Sequence, residues 1–312
     1  ALANLACDVN NRGRMAGEEG LVGRLRGRLE SDDTLTRRYA VGTLANLAYR
    51  NAANQALLLA QDGLLAWLTT LLQARDLDTQ RYAALAIANL ACDAASQPAI
   101  AATPGTLVGI VEGLHSEDGE VQHHAARALA HLAWKAGLRS EIVGERGAVA
   151  GLARILESGD RESLRYGVLA LANLSCETAN QQQIAAHESV LPRMVSLLGA
   201  EDPETVQYAA GTLANLAFKN TANQDKIASL PNAVEGLSLL LLSSDASTLR
   251  HASRAIANLA KGAANREKLS GHWPAVQGLA RQLGSEDVEV RRSAALALAN
   301  LARHAACQER LC

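Results

Sequence analysis

A short string, Ala-Leu-Ala-Asn-Leu-Ala or a near variant, recurs along the whole chain at an almost constant interval. Its asparagine falls at Asn4, Asn46, Asn89, Asn173, Asn215, Asn258 and Asn300, with His131 in the fourth copy, and successive spacings are 42, 43, 42, 42, 42, 43 and 42 residues. A unit of that length holds two or three helices and cannot bury an apolar face alone, so the units must stack on one another. This overrides the two-domain expectation that 312 residues would otherwise suggest. The apolar share, 48%, is carried by Ala and Leu, with only 3% aromatic residues. Good helix formers without a β-branched excess predict helices throughout and no strands.

Every unit has the same syntax. Asn54-Gln55, Asn180-Gln181 and Asn223-Gln224 read as the capped start of a short first helix. Gly20, Gly63, Gly105 and Gly147 then read as left-handed C-caps, with Ser189 and Asn232 in that place in later units. A second helix follows, such as 64–72, ending in leucine pairs (Leu71-Leu72, Leu197-Leu198), and Pro192 and Pro274 lie in its first turn. An acidic turn (Ser116-Glu117-Asp118, Glu201-Asp202-Pro203, Ser285-Glu286-Asp287) leads into a long third helix through the recurring string. The expected organisation is one solenoid of seven complete repeats, approximately 9–51, 52–94, 95–136, 137–178, 179–220, 221–263 and 264–305, with partial repeats 1–8 and 306–312. The chain starts within a third helix at Ala1 and stops within a first helix at Cys312, which reads as a piece of a longer protein.

Three helices per unit, a glycine break after the first and a closing Asn-Leu-Ala resemble the armadillo repeat family over essentially the whole length. The resemblance implies an all-α, right-handed α-solenoid (superhelix) whose third helices line a concave groove for partner proteins. Plain Asn-Leu-Ala strings look most like the vacuolar armadillo protein and the plant and protist armadillo scaffolds. They look less like importin-α, whose groove repeats carry Trp four residues before the Asn. Here that position holds Gly42, Leu85, Arg127, Leu169, Gly211, Arg254 and Leu296. The implied function is a non-enzymatic scaffold for extended protein segments. The alternatives are a membrane-tethered adaptor of the vacuolar kind and a nuclear-transport receptor, the latter opposed by the missing Trp.

On a helical wheel, Leu44, Leu171 and Leu213, with Leu47, Leu90 and Leu174, share one apolar side of the third helix. The opposite side carries the Asn row and, seven residues earlier, Tyr39, Tyr82, His124, Tyr166, Tyr208, His251 and Ser293. Asn offers donors and an acceptor to an extended backbone; the same amides could equally bond only to neighbouring repeats. The tyrosines fit either ligand contact or junction packing with a wet hydroxyl. An acidic row eleven residues before the Asn (Asp78, Glu120, Glu162, Glu204, Glu289) suits basic segments or the helix dipole. His124, Arg127 and His131, and again Arg250, His251 and Arg254, form two basic rungs that would receive acidic or phosphorylated groups or else lie solvated. Three residues after the Asn, cysteine alternates with an aromatic: Cys7, Tyr49, Cys92, Trp134, Cys176, Phe218, then Lys261 and Arg303. The run Arg12, Arg14, Arg24, Arg26 and Arg28 reads as a solvated edge.

Other functions are disfavoured. A net charge of −2 and pI near 6.5 lack the basic excess of a nucleic-acid binder. The cysteines Cys7, Cys92, Cys176, Cys307 and Cys312 show no CxxC spacing, and the first three sit in different repeats, so free thiols and a reducing, cytoplasmic setting are expected. His123, His124 and His131 do not have metal-ligand spacing, and no metal or other cofactor is expected. No phosphate loop, nucleophile elbow or HExxH motif occurs, and no apolar run reaches the length of a membrane span. A monomer with protein partners is the resulting expectation.

Overall fold

The computed structural model describes residues 1–303 and Gln308; Cys307, Cys312 and the rest of the partial repeat 306–312 lie outside them. Contacts divide the chain into two compact units, Ala1–Ala170 and Leu171–Cys312. Within each, three-helix repeats stack in sequence, and among the described residues there is no strand. The first and second helices are short, as in Ala52–Leu59 and Leu64–Leu71. The third helices are the long elements: Thr34–Ala48, Leu77–Ala91, Gly119–Leu132 and Arg161–Leu174, then Pro203–Leu216, Ala246–Leu259 and Val288–Leu301.

An Asp thirteen residues before the recurring Asn starts each third helix. Asp33, Asp76, Asp118, Asp160, Asp202, Asp245 and Asp287 accept from backbone N–H groups of the first turn at 2.7–3.1 Å. The cap satisfies donors that have no partner within the helix. The apolar side predicted for these helices is the core: Leu44, Leu47, Leu90, Leu171, Leu174 and Leu213 are all buried.

Two parts of the expected syntax are corrected. Asn54 and Gln55 do not start their helix; Asn51 does, accepting from Asn54 N at 3.0 Å, as Asn220 does for Asn223 N. The buried amides instead clamp the end of the preceding third helix. Asn54 donates to Leu47 O at 2.9 Å, Gln55 to Ala48 O at 2.9 Å, Asn180 to Leu174 O at 3.1 Å and Gln224 to Ala217 O at 2.9 Å. Gln55 and Gln97 also reach the third helix of their own repeat, at Asn89 O and His131 O. The clamps fill carbonyls that a helix end leaves open. Arg12 does the same with its guanidinium, donating to Ala6 O, Cys7 O and Tyr49 O, so it is buried rather than solvated like Arg14, Arg24 and Arg28. Secondly, Gly20, Gly63, Gly105 and Gly147 are left-handed (φ +69° to +88°) but immediately precede the second helix rather than cap the first. Asn232 shares that conformation at φ +63°, whereas Ser189 stays right-handed at φ −86°.

Second helices of adjacent repeats approach closely because a glycine faces a leucine. A Cβ on Gly151 would lie 2.8 Å from both Cβ and Cδ1 of Leu114; Gly109 meets Leu72 in the same way, and Gly278 meets Leu241. Overpacking of this kind costs about 1–3 kcal/mol. Gly151→Ala is therefore expected to lower the urea midpoint by that equivalent, while Gly137→Ala, which opens onto empty space, leaves it unchanged. Equal midpoints for the two variants would contradict the close-packed junction.

Candidate ligand face on the third helices

The recurring Asn sits in the last turn of its helix, and the structure uses it first as a joint between repeats. Asn46 Nδ2 donates to Ala3 O (3.0 Å), Asn89 to Ala45 O (2.8 Å), Asn215 to Ala172 O (3.1 Å) and Asn258 to Ala214 O (3.0 Å). Each acceptor lies one residue before the Asn of the preceding copy, among carbonyls whose i+4 donor has turned away. Tyr49 N, for instance, bonds Asn46 O and leaves Ala45 O open. Asn89 and Asn258 are only 2% and 3% exposed, and Asn173 is also buried. The expectation that these amides offer both donor and acceptor to a ligand is thus corrected. The nitrogen is committed internally, and the oxygen is what some rungs leave over. Asn4 is exposed and Asn46 half-buried. The Asn300 nitrogen is shielded without an acceptor. His131 gives its carbonyl to Gln97, and in the preceding copy the Cys92 thiol donates to Ala88 O at 3.3 Å.

What holds the oxygen depends on the residue four before the Asn in the next copy. Arg127 donates to Asn89 Oδ1, and Arg254 to Asn215 Oδ1 at 2.8 Å. The basic rungs are therefore not solvated charge. Arg127 is 9% exposed, and no shielded Nε of either arginine has an acceptor. Burial pushes His124 down to about 3 and His251 down to about 4, and also lowers His131. These imidazoles are neutral near pH 7, which removes them from the cationic count.

The row seven residues before the Asn supplies rings. Tyr82 lies against Gly42 and His251 against Gly211, so that a Cβ there would be 3.4 and 3.5 Å from the ring. A Trp at either glycine would collide with the ring. Tyr166 packs edge-on to His123 at 5.5 Å and tilts over His131 at 6.2 Å. Tyr208 is half-buried, whereas Tyr39 is 59% exposed and Tyr82 also faces solvent. Trp134, from the alternating row after the Asn, is 69% exposed, and Phe218 is exposed too. Arg50 and Lys219 lie over the Tyr49 and Phe218 rings at 5.2 Å. Both cations adopt left-handed φ, +53° and +52°.

The acidic row is largely neutralised by arginines eight residues before the Asn, of which sequence reasoning singled out only Arg250. Arg38 pairs with Asp76 at 2.5 Å and Asp78 at 3.1 Å, Arg81 with Asp118 at 2.6 Å and Glu120 at 3.5 Å, and Arg250 with Asp287 at 2.6 Å. Glu162 and Glu289 pair within their own helices, with Arg165 and Arg292. Hydrogen bonds from the arginines hold Asp76, Asp118 and Asp287 below the usual carboxylate range. The signal was legible as a basic residue at fixed distance from a fixed Asp. Among the described residues no group of His, Cys, Asp and Glu could hold a metal ion, and no helix is long and apolar enough to cross a membrane. Cys7, Cys92 and Cys176 are free thiols.

Residues 178–218 match the family model for the armadillo/beta-catenin-like repeat. The chain belongs to the armadillo repeat family. An engineered protein of known crystal structure is 31% identical with a TM-score of 0.86, over 96% of this chain and 72% of its own. A second engineered protein is 33% identical with a TM-score of 0.68, over 77% and 96%. A designed armadillo repeat protein in complex with peptide (KR)4 shares the fold at 23% identity and a TM-score of 0.66, over 76% and 99%. Among curated proteins none matches the chain.

Proposed function

We propose that this armadillo protein is a non-enzymatic scaffold that binds extended segments of other proteins along its third helices. The observation that carries the reading is a set of solvent-facing rings on that face of the unit Ala1–Ala170: Tyr39, Tyr82 and Trp134. Aromatic side chains left in water beside an ordered polar ladder are the usual anchors of a recognition surface. Packed helices lie about 8–10 Å apart, a distance that two or three residues of an extended peptide cover. The designed relative named with (KR)4 supports peptide binding by this fold. The partner chemistry differs here, because arginines neutralise the acidic row and no Trp stands four before the Asn. Acidic or phosphorylated segments are the partners proposed, with a cytoplasmic monomer as the acting form and proteins rather than nucleic acid as ligands, in keeping with a net charge of −2.

The test is selection from a random linear-peptide library, followed by titration against Tyr39→Ala/Tyr82→Ala/Trp134→Ala. The selected peptide is expected to bind the wild type and to lose about tenfold or more in affinity with the variant, whose circular dichroism stays native. Undiminished binding to the triple variant would remove the third-helix face from the reading.

A further inference from the structure

In the unit Leu171–Cys312, three cations stand on two adjacent third helices and the residues just after them without an anion to meet them: Arg254 within Ala246–Leu259, Lys261 after it, and Lys219 after Pro203–Leu216. Arg254 donates from Nη2 to Asn215 Oδ1 at 2.8 Å and lies 3.3 Å from His251 Nδ1, and its shielded Nε has no acceptor. Its polar partners are an amide and an imidazole that burial keeps neutral. Lys219 and Lys261 stand over the Phe218 ring at 5.2 and 5.7 Å, and Lys261 Nζ reaches Asn258 Oδ1 at 3.2 Å. None of the three has a carboxylate partner among the described residues, in contrast to Arg250 and Arg292, which are paired with Asp287 and Glu289.

The sequence shows why the charge is left over here. The acidic column is interrupted in the seventh copy, where Ser247 takes the acid's place. The ring column is interrupted one copy later, where Ser293 replaces the Tyr or His that would cover position 254, as His251 covers Gly211. The same triad of positions occurs in the other unit as Asn89, Arg127 and His124, but there Tyr166 is present, edge-on to the neighbouring His123 and tilted over His131, and Arg127 is buried. A guanidinium drawn partly out of water with no counter-charge is costly to the fold, and an oxyanion fits its fork.

We propose that Arg254, Lys219 and Lys261 form a subsite for an oxyanion, the carboxylate or phosphate of a side chain in the bound segment, with Phe218 packing against that side chain's carbon stem. The proposal rests on the third-helix binding face and names the chemistry one part of it selects.

Fluorescence anisotropy of labelled octaglutamate, octaglutamine, a phosphoserine octapeptide and (Lys-Arg)4 separates the possibilities. Octaglutamate is expected to bind at least about tenfold more tightly than octaglutamine, and Arg254→Met or Lys219→Met/Lys261→Met to erase that advantage. Arg292→Met, paired elsewhere, should change the affinity by less than about twofold. Arg254→Met should also keep or raise the thermal midpoint, because it removes a charge the fold leaves unmatched; a purely structural arginine would lower it. The tighter of octaglutamate and the phosphoserine peptide identifies the oxyanion's source. Equal affinity for octaglutamate and octaglutamine, or wild-type binding by Arg254→Met, overturns the subsite. If (Lys-Arg)4 binds while octaglutamate does not, the subsite falls and the third-helix face stands; if no peptide binds, selected ones included, both fall.

Discussion

Asn89→Ala is expected to reduce the unfolding free energy by about 2–4 kcal/mol, the largest loss of any ladder substitution. Two buried groups lose their partners at once. The Ala45 carbonyl loses the amide that closes it at 2.8 Å, and Arg127 loses the Asn89 oxygen to which its guanidinium donates. An unmet buried acceptor costs about 1–3 kcal/mol and a stranded buried charge more. Asn258→Ala leaves the Ala214 carbonyl open in the other unit and should cost less, because Lys261 is exposed and can turn to water. Tyr39→Ala, at a solvent-facing ring, should stay within about 0.5 kcal/mol of the wild type. Urea unfolding followed by circular dichroism orders the three. An Asn89→Ala midpoint equal to that of the wild type would mean that the amides do not join the repeats.

Acid is expected to unfold the protein in two stages with different causes. His124 and His251, held at about 3 and about 4 by burial against an ordinary 6.5, bind protons more readily when unfolded. A group depressed on folding contributes stability that is present above its unfolded value and lost as pH falls toward its folded one. Stability should therefore begin to fall below about pH 6.5 and lose on the order of 6 kcal/mol by pH 4, about 3 from each histidine, before the aspartates respond. Asp33, Asp118, Asp160, Asp245 and Asp287 are depressed by hydrogen bonds from helix N-termini or from arginines, so their contribution disappears only below about pH 4. His124→Phe/His251→Phe should flatten the first stage and leave the second. Thermal midpoints measured from pH 7.5 to pH 3 follow both, and a wild type with constant midpoint down to pH 4.5 would contradict the buried, neutral histidines.

The period, the helix types and the apolar side of the third helix were legible in sequence because they depend on local spacing: a left-handed glycine, an acidic turn, a leucine every third or fourth place. The roles of polar residues were less legible. A helical wheel treats each helix as if water surrounded it, and so placed Asn89 and Arg127 on an open side. The adjoining third helix in fact covers that side, and the amide meets a carbonyl one copy back. The Gln55 clamp likewise depends on where the loop after residue 48 brings the next helix, which no wheel contains. Arg38 and Asp76 are 38 residues apart in sequence, so their fixed spacing can be read in the sequence but takes on meaning as a pairing once the copies are stacked. The alternating row after the Asn was seen as a pattern, but its exposure at Trp134 and Phe218, and the lysines over Phe218, belong to the stacked structure.

Backbone hydrogen exchange on the full chain, with and without the tightest peptide selected from a linear library, tests the central claim most directly. Protection is predicted to appear along the exposed third-helix segments around Tyr39, Tyr82 and Trp134, with the second helices unchanged. Protection confined to second helices such as Thr106–Leu114 or Ala148–Ile155 would show that the ligand binds elsewhere and would contradict the account.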